Sequence, residues 1–287
     1  MFADLHLHTH FSDGTYSPEE LAGHARRHEL SVVALTDHDT VDGCPRMATA
    51  CLAEGIELIP AIEITSELDG HELHILGYGV ESTHTGLLAE LARFQRIRQD
   101  RIRDIVLRLQ KLNLPITSDA VFELANCNSP GRPHVARALI QAGVCKNLDE
   151  AFERFLKRHR PGWVPKARIH AEDAIRLIHE AGGAAVIAHP ALNRCGHLIP
   201  DLARYGIDGI ECFHSKHSPA DSEHFEEMAN RLGLLVTGGS DCHGMNKGQP
   251  LIGGVKLPLG LVEKLRDRMS RHRLAARSCE ELKPAVC

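Results

Sequence analysis

Short apolar runs alternate with amphipathic stretches along most of this chain. Seven runs read as strands: residues 2–8, 31–36, 56–65, 72–80, 184–188, 209–213 and 234–237. Several are almost continuously apolar, as a sheet buried on both faces requires. Helical periodicity fills most of the intervals. Ser17-Pro18-Glu19-Glu20 is a capping box with proline at the first helical position, and it opens a helix over 18–28. Gly55 and Gly182–Gly183 read as helix stops. Strands alternating with helices predict parallel βαβ units. The alternation breaks between about 85 and 165. There a long helix carries Leu87, Leu91, Phe94, Ile105, Leu109 and Leu112 on one stripe, followed by shorter helices at 118–125, 133–141 and 148–157. The pattern predicts one α/β barrel, built from 1–84 and 167–287, interrupted by a helical insert over 85–166.

The length of 287 residues suits a barrel with an insert. Hydrophobic residues are 43% and charged residues 25%, the balance of a globular protein. The longest apolar run is about five residues, 184–188, too short for a membrane-spanning helix. The N-terminus lacks the basic start of a secretory signal, so a cytoplasmic location is expected. Nine cysteines without a Cys-x-x-Cys pair fit reduced thiols rather than a disulfide frame.

The net charge of −5 argues against a protein that coats long duplex nucleic acid. The charge is unevenly spread, however. Residues 85–166 hold 15 Lys and Arg against 8 Asp and Glu. That excess predicts an anion-capturing insert, with a solvated helix face as the plainer reading.

Histidine is 20 of the 287 residues, and its placement carries the chemistry. His6-x-His8 ends the first strand run, and Thr36-Asp37-His38-Asp39 ends the second. Glu63 sits near the end of the third and His74 within the fourth. His189-Pro190 follows the fifth, and Asp241-x-His243 follows the last. Residues i and i+2 of a strand share a side, so His6 and His8 converge, as do Asp241 and His243. Catalytic groups in (β/α) barrels come from these C-terminal strand ends. With Asp13, the candidate metal ligands are His6, His8, Asp13, His38, Glu63, His74, His189, Asp241 and His243. Nitrogen and oxygen donors without thiolate suit Mn, Fe or Zn, and nine donors are too many for one ion. Asp4 is placed to orient an imidazole. The other fourteen histidines are read as core or surface residues, with His10, His71 and His170 nearest the proposed site.

These motifs together resemble the PHP (polymerase and histidinol phosphatase) metallo-hydrolases. The resemblance rests on Asp4-Leu5-His6-Leu7-His8-Thr9-His10, Ser12-Asp13-Gly14, Leu35-Thr36-Asp37-His38-Asp39, Glu63, His74, Ala188-His189-Pro190 and Gly239-Ser240-Asp241-Cys242-His243. Gly131-Arg132-Pro133-His134 and Arg160-Pro161-Gly162-Trp163 are similar to the insert of the TrpH/YciV-like branch. The resemblance implies a distorted (β/α)7 barrel with two or three divalent ions, manganese foremost. It implies a first metal on His6, His8, Glu63 and Asp241, and a second on Glu63, His74 and His189. The third would lie on Asp13, His38 and His243. Ala191-Leu192-Asn193-Arg194 departs from the Gly-Arg-Tyr that often follows His-Pro in relatives, which leaves the role of Arg194 open.

The branch acts on nucleoside 3′,5′-bisphosphates and short 5′-phosphorylated oligonucleotides. The expected reaction is therefore attack of a metal-bound hydroxide on phosphorus, with His189 and His243 as assisting groups. A second phosphate is expected at Arg132, at the start of a helix, with His134 and Arg137 near enough to assist, and Lys157, Arg158, Arg160 and Lys166 form a second basic cluster. Trp163 is available to stack on a base or to pack the insert. Histidinol phosphate is the alternative substrate, and a non-catalytic metal module is a third reading. Nothing in the sequence bears on oligomeric state.

Overall fold

The computed structural model describes residues 2–166, 168–247 and 249–281. The elements run β1 (Phe2–Leu7), α1 (Pro18–Arg27), β2 (Leu30–Leu35), α2 (Cys44–Glu54), β3 (Glu57–Leu68) and β4 (His71–Tyr78). Then come α3 (Thr85–Gln110), α4 (Ser118–Ala125), α5 (Arg132–Gln141) and α6 (Leu148–Ala151). The chain returns through β5 (Ile169–His170), α7 (Ala171–Glu180), β6 (Ala184–Ile187), α8 (Ile199–Arg204), β7 (Gly209–His214) and α9 (Pro219–Leu232). It finishes with β8 (Leu235–Gly239), β9 (Leu257–Pro258) and α10 (Leu259–Glu281). All seven predicted strands are present. The two short ones, β5 and β9, have too few residues to leave a periodic signature.

The sheet order is β8-β7-β6-β4-β3-β2-β1-β9, with β5 on the far part of β3. The barrel closes just beyond β8. His8 N–H donates to the Cys242 carbonyl at 3.0 Å, and Asp241 N–H donates to the His6 carbonyl at 2.9 Å. Tyr78 braces the interior by donating its hydroxyl to the Leu5 carbonyl at 3.0 Å.

The expectation of parallel pairing holds for β1, β2 and β3 and for β6, β7 and β8. It fails at β4, which is antiparallel to both β3 and β6. The reason is local. Only Asp69 and Gly70 separate β3 from β4, and both have positive φ, 50° and 77°. Two left-handed residues make a tight hairpin, and a crossover helix has no room.

Helix signals read well. Ser17 and Glu20 form the expected capping box, and Gly55 ends α2 at φ 67°. Two details differ in the helices between β4 and β5. Leu112 lies past the end of α3 and is exposed. The expected helix over 148–157 is one α-turn followed by five π-helical residues, Phe152–Leu156.

Three apolar clusters result. One joins the sheet to α1, α2, α7, α8 and α9, and a second seats α10 against β1–β4 and β6. The third belongs to α3–α6 and the π-helical turn. Helix α3 enters two of them, with Leu87 and Leu91 in the first and Ile102, Ile105 and Leu109 in the third. Among the described residues, no helix is long and apolar enough to cross a membrane.

Barrel closure leaves no space at Gly239, where an added Cβ would overlap the His6 backbone and Cβ. Gly239→Ala should therefore cost about 3 kcal/mol or more of unfolding free energy, because the obstacle is main chain rather than a movable side-chain end. Chemical denaturation measures it. A loss under about 0.5 kcal/mol would show that the closure is loose.

Candidate metal centre

Each strand delivers its side chains to one end of the barrel. His6 and His8 come from β1 and the residue past it, His38 from the end of β2, His189 from the end of β6, and Asp241 and His243 from the segment after β8. Strand β3 overshoots the barrel and folds back as β4, so Glu63 and His74 meet from mid-strand positions. Asp13 sits on a loop fixed by Asp37. The Asp37 carboxylate accepts from Thr9 N–H at 2.8 Å and from the hydroxyls of Thr9 and Ser12, each at 2.6 Å.

Three non-glycine residues here adopt left-handed backbone: Asp39 (φ 50°), His189 (φ 32°) and Asp241 (φ 54°). Such strain persists only when neighbours impose it. The Asp39 N–H is held by the Glu63 carbonyl at 3.0 Å and the Asp241 N–H by His6. The Glu211 carboxylate holds the His189 N–H at 2.7 Å.

Glu63 is the hub, 1% exposed. Its Oε1 lies 2.7 Å from His74 Nδ1 and 3.1 Å from His189 Nε2. Its Oε2 lies 3.2 Å from both His8 Nε2 and His38 Nδ1, and 3.3 Å from His6 Nε2. Burial pushes the carboxyl up, but His38, His74 and His6 outweigh it and hold Glu63 well below the usual range. Burial pushes His8 down, yet Asp241 and Glu63 reverse this and raise it to about 9.

The donor set fits cations. His6 Nε2 and His8 Nε2 face each other at 3.1 Å. His243 Nδ1–H donates to the Asp241 carbonyl at 2.9 Å, which leaves a lone pair at Nε2, 3.2 Å from Asp13 Oδ1. His8 Nδ1, Asp13 Oδ1, His38 Nδ1 and His74 Nε2 are buried without a hydrogen-bond partner among the described residues. Imidazole nitrogens and carboxylate oxygens converging in this way are suited to divalent ions once the rings are neutral.

All nine candidates fall into four overlapping sets whose donor atoms lie within 4.8 Å of one another. These are His8, Asp13, His38 and His243; His6, His8 and Asp241; His6, Glu63 and His189; and His38, Glu63 and His74. His38 is thus grouped with Glu63 and His74 as well as with Asp13.

Sequence reasoning missed two buried neighbours, both on β7. Glu211 Oε1 sits 2.8 Å from His6 Nδ1 while its Oε2 holds the His189 backbone. His214 Nε2 lies 3.6 Å from Asp241 Oδ2. The sixth predicted run, 209–213, from which no ligand was chosen, extends to His214 and carries both. A charged residue inside the apolar run Gly209-Ile210-Glu211-Cys212-Phe213 was the available signal. Asp4, expected to orient an imidazole, instead accepts from the backbone N–H groups of Ser240 (2.8 Å) and His6 (3.3 Å). It braces barrel closure. His10 stacks on Phe11, His71 meets His197, and His170 caps α7.

The expected substrate contacts divide. A cleft of about 1010 Å³ opens over the cluster. Pro133, Ile140, Asn147, Leu148 and Phe152 face it from the helices between β4 and β5, and Leu192, Asn193 and Met245 from the barrel side. Phe152, not Trp163, is the aromatic lining it. Trp163 lies outside against His159, with ring centroids 6.4 Å apart. Arg160 is exposed near Glu153, and Arg194 is exposed in the turn whose Asn193 reaches His189. His134 is buried, its Nδ1 accepting from the Gly131 N–H at 3.0 Å. Arg137 donates to the Asp13 carbonyl at 3.0 Å. Arg132 donates to the Leu156 carbonyl at 3.2 Å.

A second pocket is cationic. Arg98, Arg101, Lys166 and Arg168 line it together with Asp39 and Thr65, neighbours of His38 and Glu63 in sequence. Arg98 pairs with Asp39 at 2.6 Å, and Lys166 with Glu72 at 3.2 Å. Arg101 is different. It is 7% exposed, and its one hydrogen bond runs from Nε to the Val164 carbonyl at 3.0 Å. No carboxylate lies within 4.0 Å of it among the described residues. Burial, with Arg132 and Arg98 nearby, pushes its guanidinium down to about 9.

Known proteins share these features. The PHP domain model matches residues 4–130. The chain is 33% identical over 247 residues to the 5′-3′ exoribonuclease Rnm of Salmonella typhimurium, covering 84% of each. It is 33% identical over 253 residues to the 3′,5′-nucleoside bisphosphate phosphatase of Chromobacterium violaceum, covering 85% of this chain and 88% of that one. A solved chain from Bifidobacterium adolescentis, described as a candidate metal-dependent phosphoesterase, superposes with a TM-score of 0.85 at 32% identity. It covers 93% of this chain and 96% of that one.

Two predictions follow from the supports of the centre. Glu211→Gln should weaken divalent-metal binding about 10- to 100-fold, because His6 loses the anion that orients it. Titration calorimetry reads the loss, and unchanged affinity would remove Glu211 from the site's support. Burial depresses His134 to about 4 from an unfolded value of 6.5. Its contribution to stability is therefore complete above pH 6.5 and drains as pH falls through 4, by up to about 3 kcal/mol. His134→Gln should flatten that acid slope, seen by comparing unfolding free energies at pH 7 and pH 4. An unchanged slope would mean that His134 is not buried neutral.

Proposed function

Since the chain belongs to the PHP family of phosphate-ester hydrolases, we propose that it removes the 3′-phosphate from nucleoside 3′,5′-bisphosphates. Short 5′-phosphorylated oligoribonucleotides are its second substrate class. One observation carries this reading: Arg101 is buried, with no carboxylate within 4.0 Å among the described residues, in a cationic pocket that Asp39 and Thr65 also line. A buried unpaired guanidinium is costly, and an anionic ligand offsets the cost. One phosphate at the cluster and another at Arg98, Arg101 and Lys166 require a substrate with two. Arg132 reinforces the positive field around Arg101. A monophosphate such as histidinol phosphate leaves that pocket without a purpose.

The nine donors are assigned to two or three divalent ions, with Mn first and Fe or Zn as substitutes. Such ions supply Lewis acidity, lowering the pKa of water and neutralising phosphoryl oxygens. The chain does the rest. Glu63 holds five imidazoles around one carboxylate. Glu211 fixes the His6 ring and the His189 backbone together. His189 Nδ1 lies 3.2 Å from the Asn193 side-chain amide, and His243 is tied at Nδ1 to the Asp241 carbonyl, so each turns Nε2 to the cluster. That orientation favours ligand roles for both. The cationic pocket orients the substrate, and the apolar wall of Phe152, Leu148 and Leu192 receives its nucleoside end.

Residues 85–166 form, in this reading, the unit that roofs the site. The seven described cysteines are unpaired, which supports the cytoplasm as the compartment.

The test is phosphate release by Mn-loaded enzyme from adenosine 3′,5′-bisphosphate, adenosine 5′-monophosphate, histidinol phosphate and a short 5′-phosphorylated RNA. Turnover of the bisphosphate without turnover of the monophosphates is expected. Turnover of histidinol phosphate alone would overturn the reading. Arg101→Gln should lower kcat/KM for the bisphosphate about 100-fold, the worth of a buried charge-assisted contact, with a far smaller loss on p-nitrophenyl phosphate. Equal losses on both would remove the second-phosphate role.

A further inference from the structure

The opposite end of the barrel holds a cluster that the reaction does not use. Asp208 lies immediately before β7, at the end of the strand remote from the metal centre. It is 2% exposed. His179 Nε2, from the last turn of α7, lies 2.8 Å from Asp208 Oδ2, and His272 Nε2, from α10, lies 2.9 Å from Oδ1. The two rings are parallel within 14°, with centroids 4.1 Å apart. Both rings are about one quarter exposed, 25% and 22%, so an ion can enter from solvent.

We propose that His179, Asp208 and His272 form a separate zinc site that clamps α10 to the base of the barrel. Two imidazole nitrogens and one carboxylate oxygen, with the three donor atoms within 4.8 Å of one another, match a tetrahedral ion completed by water. The carboxylate is already fixed. Asp208 Oδ2 accepts from the Ala185 N–H at 2.8 Å, and its backbone is tied to Ala185 and Leu235. Burial pushes its pKa up, but hydrogen bonds from the two imidazoles, Ala185 and Arg268 pull it far down, so the ligand is anionic at any working pH.

Binding has a defined proton balance. A neutral ring that now donates from Nε2 must carry its proton on Nδ1 once the metal takes Nε2. Neutral rings release no proton to solvent, while an imidazolium releases one.

Arg268 is the competitor. Its Nη1 lies 2.6 Å from Asp208 Oδ1, the oxygen that His272 also faces. It is 28% exposed on α10 and can swing outward. An ion pair and a metal compete for the same lone pairs, and this gives the test its sign.

Zinc bound per chain is measured by equilibrium dialysis for the wild type, His272→Gln and Arg268→Ala, with affinity read against a chelating indicator. The wild type should hold one equivalent more than His272→Gln. Arg268→Ala should hold the wild-type number and bind that equivalent about tenfold tighter, the worth of one charge-assisted hydrogen bond removed from the competitor. Equal zinc counts in wild type and a folded His272→Gln would overturn the proposal. So would Arg268→Ala binding no tighter than wild type, and that arm decides alone if His272→Gln fails to fold.

Discussion

The structure turns on one buried carboxylate. Glu63 is removed from water and ringed by five imidazoles. An isolated anion in such a place would cost several kcal/mol. Positive charge must gather around it, whether as protons or as metal ions. The histidines are the carriers of that requirement. To bring them within reach of one carboxylate on β3, residues of β1 and β4 and residues just past β1, β2 and β6 must converge, and the barrel is the fold that makes strands converge at one end.

Convergence brings its own demands. The main chain near Glu63 is bent into left-handed turns at Asp39, His189 and Asp241. Each bend is held by a hydrogen bond to another strand end, so a ligand's position is set by its neighbours rather than by its own loop. Glu211 shows the economy of this arrangement: its two oxygens fix a ring on β1 and a backbone after β6. The β3–β4 hairpin is the exception to barrel regularity, and it is placed where Glu63 and His74 need to meet.

Much of this was legible in the sequence. The seven strands, the nine converging residues and the helical interruption all follow from periodicity and from where acids and imidazoles fall. The antiparallel β4 was also legible, since 66–71 is too short for a crossover helix, but alternation elsewhere masked it. Other features were hidden for physical reasons. Glu211 sits in a run that reads as plain strand, and only the fold shows that its side chain faces His6. Arg132 and His134 looked like ligand groups because they open a helix, yet their hydrogen bonds go to Leu156 and Gly131. Arg101 was one of several arginines on a polar-looking helix. What sets it apart is burial without an acid, which is a tertiary property. His179, Asp208 and His272 are 29 and 64 residues apart in sequence and have no motif at all.

Helix α3 begins in the apolar cluster of the barrel and ends in that of the helices over the cleft. Its 26 residues make a rod of about 39 Å. A rod rooted at one end multiplies small rotations. Tilting it by about 10° at its first turn would carry its far end roughly 7 Å, about two strand residues in length. Arg98 and Arg101 ride on the middle of this rod, in the pocket proposed for a second phosphate. In the proposed reading, the width of the mouth and the grip on a second phosphate are therefore one mechanical variable. A chain end threading through and a single nucleotide sitting inside would differ by a few degrees of one helix.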